Sequence, residues 1–126
     1  MLGTKNAMAT IAVKNLDAAR EFYESLLGLE PMPVEENVLA YRSGGSRVLV
    51  YESEYAGTNK ATAATWAVGD DIEQVVAGLK EKGVKFEHYD FPGGTRQGDI
   101  HVMGKTKAAW LTDPDGNILA LVNGQS

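Results

Sequence analysis

The chain has 126 residues, 44% of them hydrophobic, which is enough to build one domain around one core. It has no cysteine, which excludes disulfides, thiolate metal sites and cysteine nucleophiles and makes the cytoplasm the expected location. The formal net charge of -5, without a cluster of lysine or arginine, argues against nucleic-acid binding, and no apolar run approaches the ~20 residues of a membrane span.

The first predicted elements are a strand and a capped helix. The strand covers residues 11–13, and Asn15 or Asp17 after it can accept hydrogen bonds from the first free N–H groups of a helix. Apolar residues then recur at helical spacing up to Gly28, a residue type that favours the left-handed conformation at helix ends. We therefore expect the apolar stripe of this helix to pack on a sheet.

The same pattern occurs a second time further along the chain. A strand at residues 66–68 precedes apolar residues at helical spacing from Ile72 to Leu79, and the helix stops at Gly83. The second strand and the second helix stop both lie 55 residues after their counterparts. This constant offset indicates an internal duplication.

Each copy continues into a predicted hairpin. The first hairpin spans residues 39–51 and turns at Gly44-Gly45, and the second spans residues 108–120 and turns at the Asp-Pro-Asp-Gly-Asn stretch, residues 113–117. The second hairpin is offset by 69 residues rather than 55, so the second copy carries 14 additional residues. We place this glycine-rich insertion at about residues 91–104.

The predicted organisation is a single domain of two βαβββ repeats. Repeat one covers residues 6–52, a polar linker covers residues 53–60, and repeat two covers residues 61–124, including the insertion. One helix can cover only one face of a sheet, so the two repeats are expected to complement each other.

Several short motifs then resemble a known family. They are Leu-Asp at residues 16–17, Phe-Tyr at 22–23, Leu-Gly at 27–28 and the turn at 113–117, in this order within a duplicated chain. The set is similar to the vicinal oxygen chelate superfamily, which includes glyoxalase I, extradiol dioxygenases and bleomycin-binding resistance proteins. The resemblance implies an α+β fold in which the paired repeats form curved mixed sheets around a ligand-holding cup, commonly in homodimers.

The metalloenzymes of this superfamily hold a divalent ion through His, Gln or Glu on the first and last strand of each repeat. By the resemblance, these positions correspond to Met8 and Tyr51 in repeat one and to Ala63 and Ala120 in repeat two. None of these four side chains is a suitable ligand for such an ion. The sequence therefore predicts no metal and no other cofactor, and it disfavours glyoxalase or dioxygenase chemistry.

The lining of the cup follows from the alternation of side chains along strands. If Met8 faces the cup, every second residue after it does so too, and pairing across the two hairpin turns adds further positions, including Ala109. Such a small, mostly apolar lining suits an aromatic or amphiphilic ligand. The predicted ligand-binding residues are Met8, Thr10, Arg47, Leu49, Tyr51, Ala63, Thr65, His101, Met103, Leu111, Ile118 and Ala120.

The two histidines are the side chains that ordinarily titrate nearest neutral pH. His88 lies among charged residues and is predicted to be a surface strand residue, whereas His101 lies in the insertion, which is either a lid or pocket wall or a solvated loop. Asp99 and His101 would share a face if this segment were a strand. They are the weak candidates for an acid/base pair.

The large aromatic residues are interpreted as core. This applies to Phe22, Tyr41, Trp66 and Trp110, with Trp110 kept as an alternative ligand contact because a single bulge would reverse its face. Arg42 and Arg47 flank the Gly-Gly turn, where they either recognise a ligand carboxylate or form a solvated hairpin end.

Three functional hypotheses follow. The leading one is a metal-free protein that binds and sequesters a small organic molecule, like the resistance proteins of the superfamily, as a homodimer. The second is an enzyme, either independent of metal or using an ion held by unexpected residues such as Glu52, Glu54, Asp99 or His101. The third is a dimeric regulatory module whose cup has collapsed.

Overall fold

The computed structural model describes residues 1–34 and 37–124, in which two series of helical turns and strands follow one another along the chain. Repeat one consists of β1 (Ala9–Val13), α1 (Leu16–Arg20), β2 (Glu30–Met32), β3 (Val38–Ser43) and β4 (Ser46–Glu52). Repeat two consists of β5 (Thr62–Ala67), a 3-10 turn (Gly69–Asp71), α2 (Ile72–Glu81), β6 (Phe86–Glu87), β7 (Thr95–Gln97), β8 (Ile100–Met103), β9 (Thr106–Thr112) and β10 (Ile118–Val122).

The two sheets share one topology. The first has the strand order β1-β4-β3-β2, and the second has the order β5-β10-β9-β8-β7, with β6 also paired to β9. In each sheet the first strand of the repeat runs parallel to the last, while the remaining pairs are antiparallel. The predicted α+β fold with mixed sheets is confirmed. The insertion provides the extra hairpin β7–β8.

The first helix begins as predicted but widens before it ends. The Asn15 side chain accepts a hydrogen bond from the backbone N–H of Ala18, which makes Asn15 the cap. After α1 the chain continues as a π-helix over Glu21–Leu26 and stops at Gly28, whose φ is 75°. Because the wider turn changes the angular spacing of residues, two consecutive aromatic residues, Phe22 and Tyr23, are both buried in the core.

A single hydrophobic core joins the two repeats. Its members lie on one face of the strands and on the inner faces of the helices, and they come from both repeats. The predicted core positions Phe22 and Tyr41 are both buried, whereas Trp66 is half-buried and packs against the core. The fully buried large side chains are Ile11, Val13, Tyr23, Tyr41, Val50, Ile72, Leu111 and Leu119.

The register of the second hairpin differs from the predicted assignment of its side chains to the two faces of the sheet. Its five-residue loop aligns Trp110 with Ala120 and Leu111 with Leu119, so residues of equal parity share a face across the turn. Leu119 and Leu111 are both in the core. The prediction that Leu111 and Ala109 face the cup together with Ala120 is therefore wrong, and so is the core position of Trp110, which lies on the opposite side with Ala120.

The turn at residues 113–117 fastens the second repeat to the first. The buried carboxylate of Asp113 accepts hydrogen bonds from the Tyr23 hydroxyl at 2.8 Å and from the backbone N–H of Asn117 at 2.8 Å. The Asn117 amide donates to the Ala12 carbonyl at 2.7 Å, and Asp115 accepts from the Lys14 backbone N–H at 2.9 Å. Burial and the neighbouring carboxylate raise the pKa of Tyr23. The turn sequence thus fixes the relative position of the repeats as well as the hairpin.

Within residues 1–34 and 37–124, no helix is both long enough and apolar enough to cross a membrane.

Candidate functional site

The side of both sheets that faces away from the core is called the open face here. In the first sheet it carries Thr10 beside Leu49 and Ala12 beside Tyr51, which are register partners on β1 and β4. Tyr51 is 40% exposed. In the second sheet it carries Thr65, Ala120 and Trp110, which lie next to one another across β5, β10 and β9.

Four rings pack together on the second sheet and form what we call the aromatic cluster. They belong to Tyr89, Phe91, His101 and Trp110. Phe91 stacks on Trp110 with ring centroids 5.4 Å apart, and the edges of Tyr89 and His101 meet Trp110 at 5.3 Å and 5.0 Å. The Trp110 indole N–H donates a hydrogen bond of 3.2 Å to the hydroxyl of Thr62 on β5, and this bond holds the ring in place. The cluster is a preformed apolar platform, because each ring is held by the others.

A half-open pocket of about 320 Å³ adjoins this platform, and we call it the insertion pocket. Arg96 lies directly opposite His101 in the β7–β8 register, so both side chains start from the same face. Tyr89 and Phe91 are both 38% exposed and offer ring surface to a bound molecule. The pocket is lined by Tyr89, Asp90, Phe91, Gly94, Thr95, Arg96, His101 and Met103.

His101 is buried and both of its ring nitrogens are used. Its Nε2 accepts a hydrogen bond from the Tyr89 backbone N–H at 2.9 Å, so Nδ1 carries the proton and donates to the Ala108 carbonyl at 3.3 Å. Both ring nitrogens are therefore engaged by the backbone, and neither is free to contact a substrate or a metal ion. His101 contributes its ring to the aromatic cluster.

The predicted Asp99–His101 pair does not form. Asp99 lies in the turn before β8, where its side chain is 10% exposed and accepts hydrogen bonds from His88 at 2.6 Å and from Lys80 at 2.9 Å. The prediction failed because it assumed that the strand already includes residue 99. His88 follows β6 rather than lying in a strand. The cluster of Lys80, His88 and Asp99 ties α2 to the β7–β8 turn.

We expect Asp99 to give the fold a specific acid sensitivity. The hydrogen bond from His88, followed by that from Lys80, lowers the pKa of Asp99 below its ordinary value of ~3.9. A lowered folded-state pKa adds stability that is present above about pH 4 and is lost as the pH falls through the folded-state value. We expect the melting temperature of the native protein to exceed that of Asp99→Asn at neutral pH, and this difference should become smaller as the pH falls to ~3.

The matched control is Glu81→Gln, which removes an exposed carboxylate from the end of α2. We expect its melting temperature to follow that of the native protein across this range. If the difference in melting temperature between the native protein and Asp99→Asn stays constant with pH, Asp99 acts only through packing.

The remaining predicted ligand-binding residues are spread over several places. Met8 and Arg47 line a separate hollow beside the Gly44-Gly45 turn, and His101 and Met103 line the insertion pocket. Leu111 lies in the core. Ala63 lies at a register shift between β5 and β10 and is exposed, and Ala120 is buried beneath the neighbouring side chains. Thr10, Leu49, Tyr51, Thr65 and Ile118 line none of these hollows.

Sequence reasoning missed Tyr89, Phe91 and Arg96 as site residues. A signal was present, because Tyr89 comes just before the glycine-rich insertion, Phe91 begins it and Arg96 lies within it. Alternation along strands could not place them, since Tyr89 and Phe91 lie outside strands.

Comparison with protein families identifies the fold family. The family model of the Glyoxalase/Bleomycin resistance protein/Dioxygenase superfamily matches residues 6–121. The chain belongs to this superfamily. No protein of curated function matches the chain in sequence.

Solved structures of other superfamily members have the same fold at low sequence identity. The bleomycin resistance determinant of transposon Tn5 is 18% identical with a TM-score of 0.73, and the match covers 98% of this chain and 100% of that one. The fosfomycin resistance protein FosX of Listeria monocytogenes, solved with Mn(II) and sulfate, is 14% identical with a TM-score of 0.73 over 99% and 93%. A lactoylglutathione lyase from Agrobacterium tumefaciens is 15% identical with a TM-score of 0.69 over 94% and 92%.

The residues of this chain do not fit a superfamily metal. The positions that the resemblance assigns to the metal ligands hold Met8, Tyr51, Ala63 and Ala120, which lack the carboxylate, imidazole or thiolate donors that such ions require. The described part of the chain also contains no group of three or more His, Cys, Asp or Glu side chains placed to hold an ion. The donor chemistry of the chain therefore disagrees with a metal-dependent superfamily activity.

Proposed function

We propose that this superfamily member is a metal-independent binding protein that sequesters an aromatic or amphiphilic small molecule. The observation that carries the proposal is the aromatic cluster beside the insertion pocket. Rings held in place by one another bind a planar molecule with little loss of conformational freedom. A bleomycin resistance determinant is among the structural relatives, and the proposed sequestering role is of this resistance type.

The polar groups of the pocket define where the ligand's own polar group lies. Arg96 and Asp90 stand at the pocket, and in the described residues Arg96 has no carboxylate within ion-pair distance. A guanidinium that is not neutralised by the protein favours an acidic group on the ligand. We therefore propose an aromatic acid whose rings lie on the cluster and whose anionic group meets Arg96.

The open face of the first sheet supports a homodimer. Met8 is 51% exposed and Tyr51 is 40% exposed, and Leu49 lies between them on the same side. An apolar sheet face of this kind is commonly covered by another protein surface. We propose that a second copy of the chain covers this face. Light scattering at micromolar concentration measures the oligomeric state. We also propose that the protein acts in the cytoplasm.

The binding site can be tested with 8-anilinonaphthalene-1-sulfonate, an amphiphilic aromatic acid. The chain has two tryptophans, so Trp66→Phe leaves Trp110 as the single reporter inside the aromatic cluster. We expect the probe to quench Trp110 in a saturable manner. Arg96→Gln should weaken binding about tenfold, because one charged hydrogen bond contributes about 1.5 kcal/mol or more.

Two tyrosine variants provide the control. Tyr89→Ala removes a ring of the cluster and should also weaken binding, whereas Tyr55→Ala removes a 72% exposed ring from the linker and should leave it unchanged. Absence of saturable quenching of Trp110, or equal affinities for Tyr89→Ala and Tyr55→Ala, would contradict the proposed site.

A further inference from the structure

A second hollow lies on the core side of the sheets, away from the aromatic cluster, and we call it the core-side crevice. Its volume is about 560 Å³, within the ~300–1,000 Å³ typical of small-molecule sites. It is bounded by segments of both repeats. The lining residues are Leu27, Gly28, Leu29, Glu30, Arg42, Ser43, Gly44, Trp66, Val68, Val75, Leu79, Leu111 and Leu121.

The walls of the crevice are apolar and well supported. α2 contributes Val75 and Leu79, which are half-buried, and the second sheet contributes Leu111 and Leu121, which are buried in the core. The first repeat closes one side with Leu29, which is 9% exposed. A water-filled space between such walls keeps apolar surface hydrated, and an apolar ligand would release that water.

Trp66 gives the crevice a fixed aromatic wall. Its indole N–H donates a hydrogen bond of 2.8 Å to the Ser43 hydroxyl of the other repeat. The polar edge of the ring is thereby satisfied within the protein, and the ring is held between the repeats. The ring also lines the crevice, where it can stack against a planar molecule.

The charges at the crevice favour a neutral ligand. Arg42 and Glu30 are the charged residues of the lining, and they lie directly opposite each other in the register of β2 and β3. Opposite charges on neighbouring strands offset each other. We propose that the core-side crevice is a second ligand site, distinct from the insertion pocket, for an uncharged molecule with one or two aromatic rings that stacks on Trp66.

The test uses N-phenyl-1-naphthylamine, an uncharged aromatic probe whose emission rises in apolar surroundings. In Trp110→Phe, Trp66 is the single tryptophan, so energy transfer from it reports probe binding, and the crevice-filling variants below assign that binding to the crevice. We expect saturable transfer from Trp66 and a melting temperature that rises by several degrees at saturating probe, since the probe binds the folded state only.

Filling the crevice should abolish the effect. Val75→Phe places a ring in the crevice and should reduce probe affinity at least tenfold, whereas Ala77→Phe adds the same ring to an exposed position of α2 and should not change it. Both are made in the Trp110→Phe background, and near-ultraviolet circular dichroism establishes that each is folded. If Val75→Phe does not fold, Leu79→Phe takes its place.

The result for the core-side crevice can be distinguished from the result for the insertion pocket. No saturable transfer from Trp66, or equal affinities for Val75→Phe and Ala77→Phe, would overturn the crevice site and leave the insertion pocket untouched. Conversely, failure of 8-anilinonaphthalene-1-sulfonate to quench Trp110 would overturn the proposed function while the crevice result stood.

Discussion

Asp113→Ala is expected to destabilise the protein by about 3 kcal/mol or more, because it leaves several buried hydrogen-bond donors without their acceptor. Asp113 is 5% exposed and its carboxylate accepts four hydrogen bonds. Without it, the Tyr23 hydroxyl and the backbone N–H groups of Asp115 and Asn117 lose their acceptor. Each buried donor left unpaired costs about 1 to 3 kcal/mol.

The effect should reach beyond the turn itself. Asn117 is oriented by Asp113 and donates to the Ala12 carbonyl in the first repeat, so loss of the carboxylate loosens the connection between the repeats. Urea denaturation measures the change. Tyr23→Phe should cost less, because the backbone hydrogen bonds of the turn remain. A loss below about 1 kcal/mol for Asp113→Ala would show that the network contributes little.

Gly57→Ala is expected to cost about 2 kcal/mol or more. Gly57 has a φ of 73°, a conformation that costs an L-residue roughly 1 to 2 kcal/mol. A Cβ atom at this position would also overlap the carbonyl oxygen of Asp115. The backbone of the linker or of the turn must therefore move to accommodate a single methyl group.

A matched glycine provides the comparison. Gly3→Ala adds the same methyl group where no atom lies within 4 Å, and it should leave the melting temperature nearly unchanged. The difference between the two variants, measured by calorimetry, tests whether the linker is packed. Equal melting temperatures for both variants would mean that residues 53–60 act as a loose tether.

The duplicated architecture was predictable because it depends on local signals. Helix stops at Gly28 and Gly83, the Gly44-Gly45 turn and the turn at 113–117 each specify backbone conformation through a few adjacent residues. The offset of 55 residues between the two helix stops then reveals the repeats. The buried positions of Phe22 and Tyr41 were expected because large aromatic residues dominate protein cores, and they are confirmed.

The faces of the second hairpin were not predictable with the same certainty. Which residues share a face depends on how many loop residues separate the paired positions, and one residue of difference reverses the outcome. Assigning residues of unequal parity to one face placed Leu111 in the cup and Trp110 in the core. The observed register reverses both positions and thereby creates the aromatic platform.

The site also depends on contacts between residues far apart in sequence. Asp99 was expected beside His101, but its partners are Lys80 and His88. The nitrogens of His101 are used by the backbone of Tyr89 and Ala108. Composition and strand alternation carry no information about such partners, since these depend on how the insertion folds onto β9.

This superfamily member is proposed to bind its ligand without a metal, and its metal content tests that proposal most directly. Untagged protein purified without chelator is analysed for bound metal, and its melting temperature is measured with added Mn, Fe, Co, Ni and Zn ions. We expect no stoichiometric metal and no ion-dependent rise in melting temperature, because Met8, Tyr51, Ala63 and Ala120 supply no suitable donors. One tightly bound ion per chain, with a higher melting temperature in its presence, would contradict the claim and favour a metal-dependent superfamily activity.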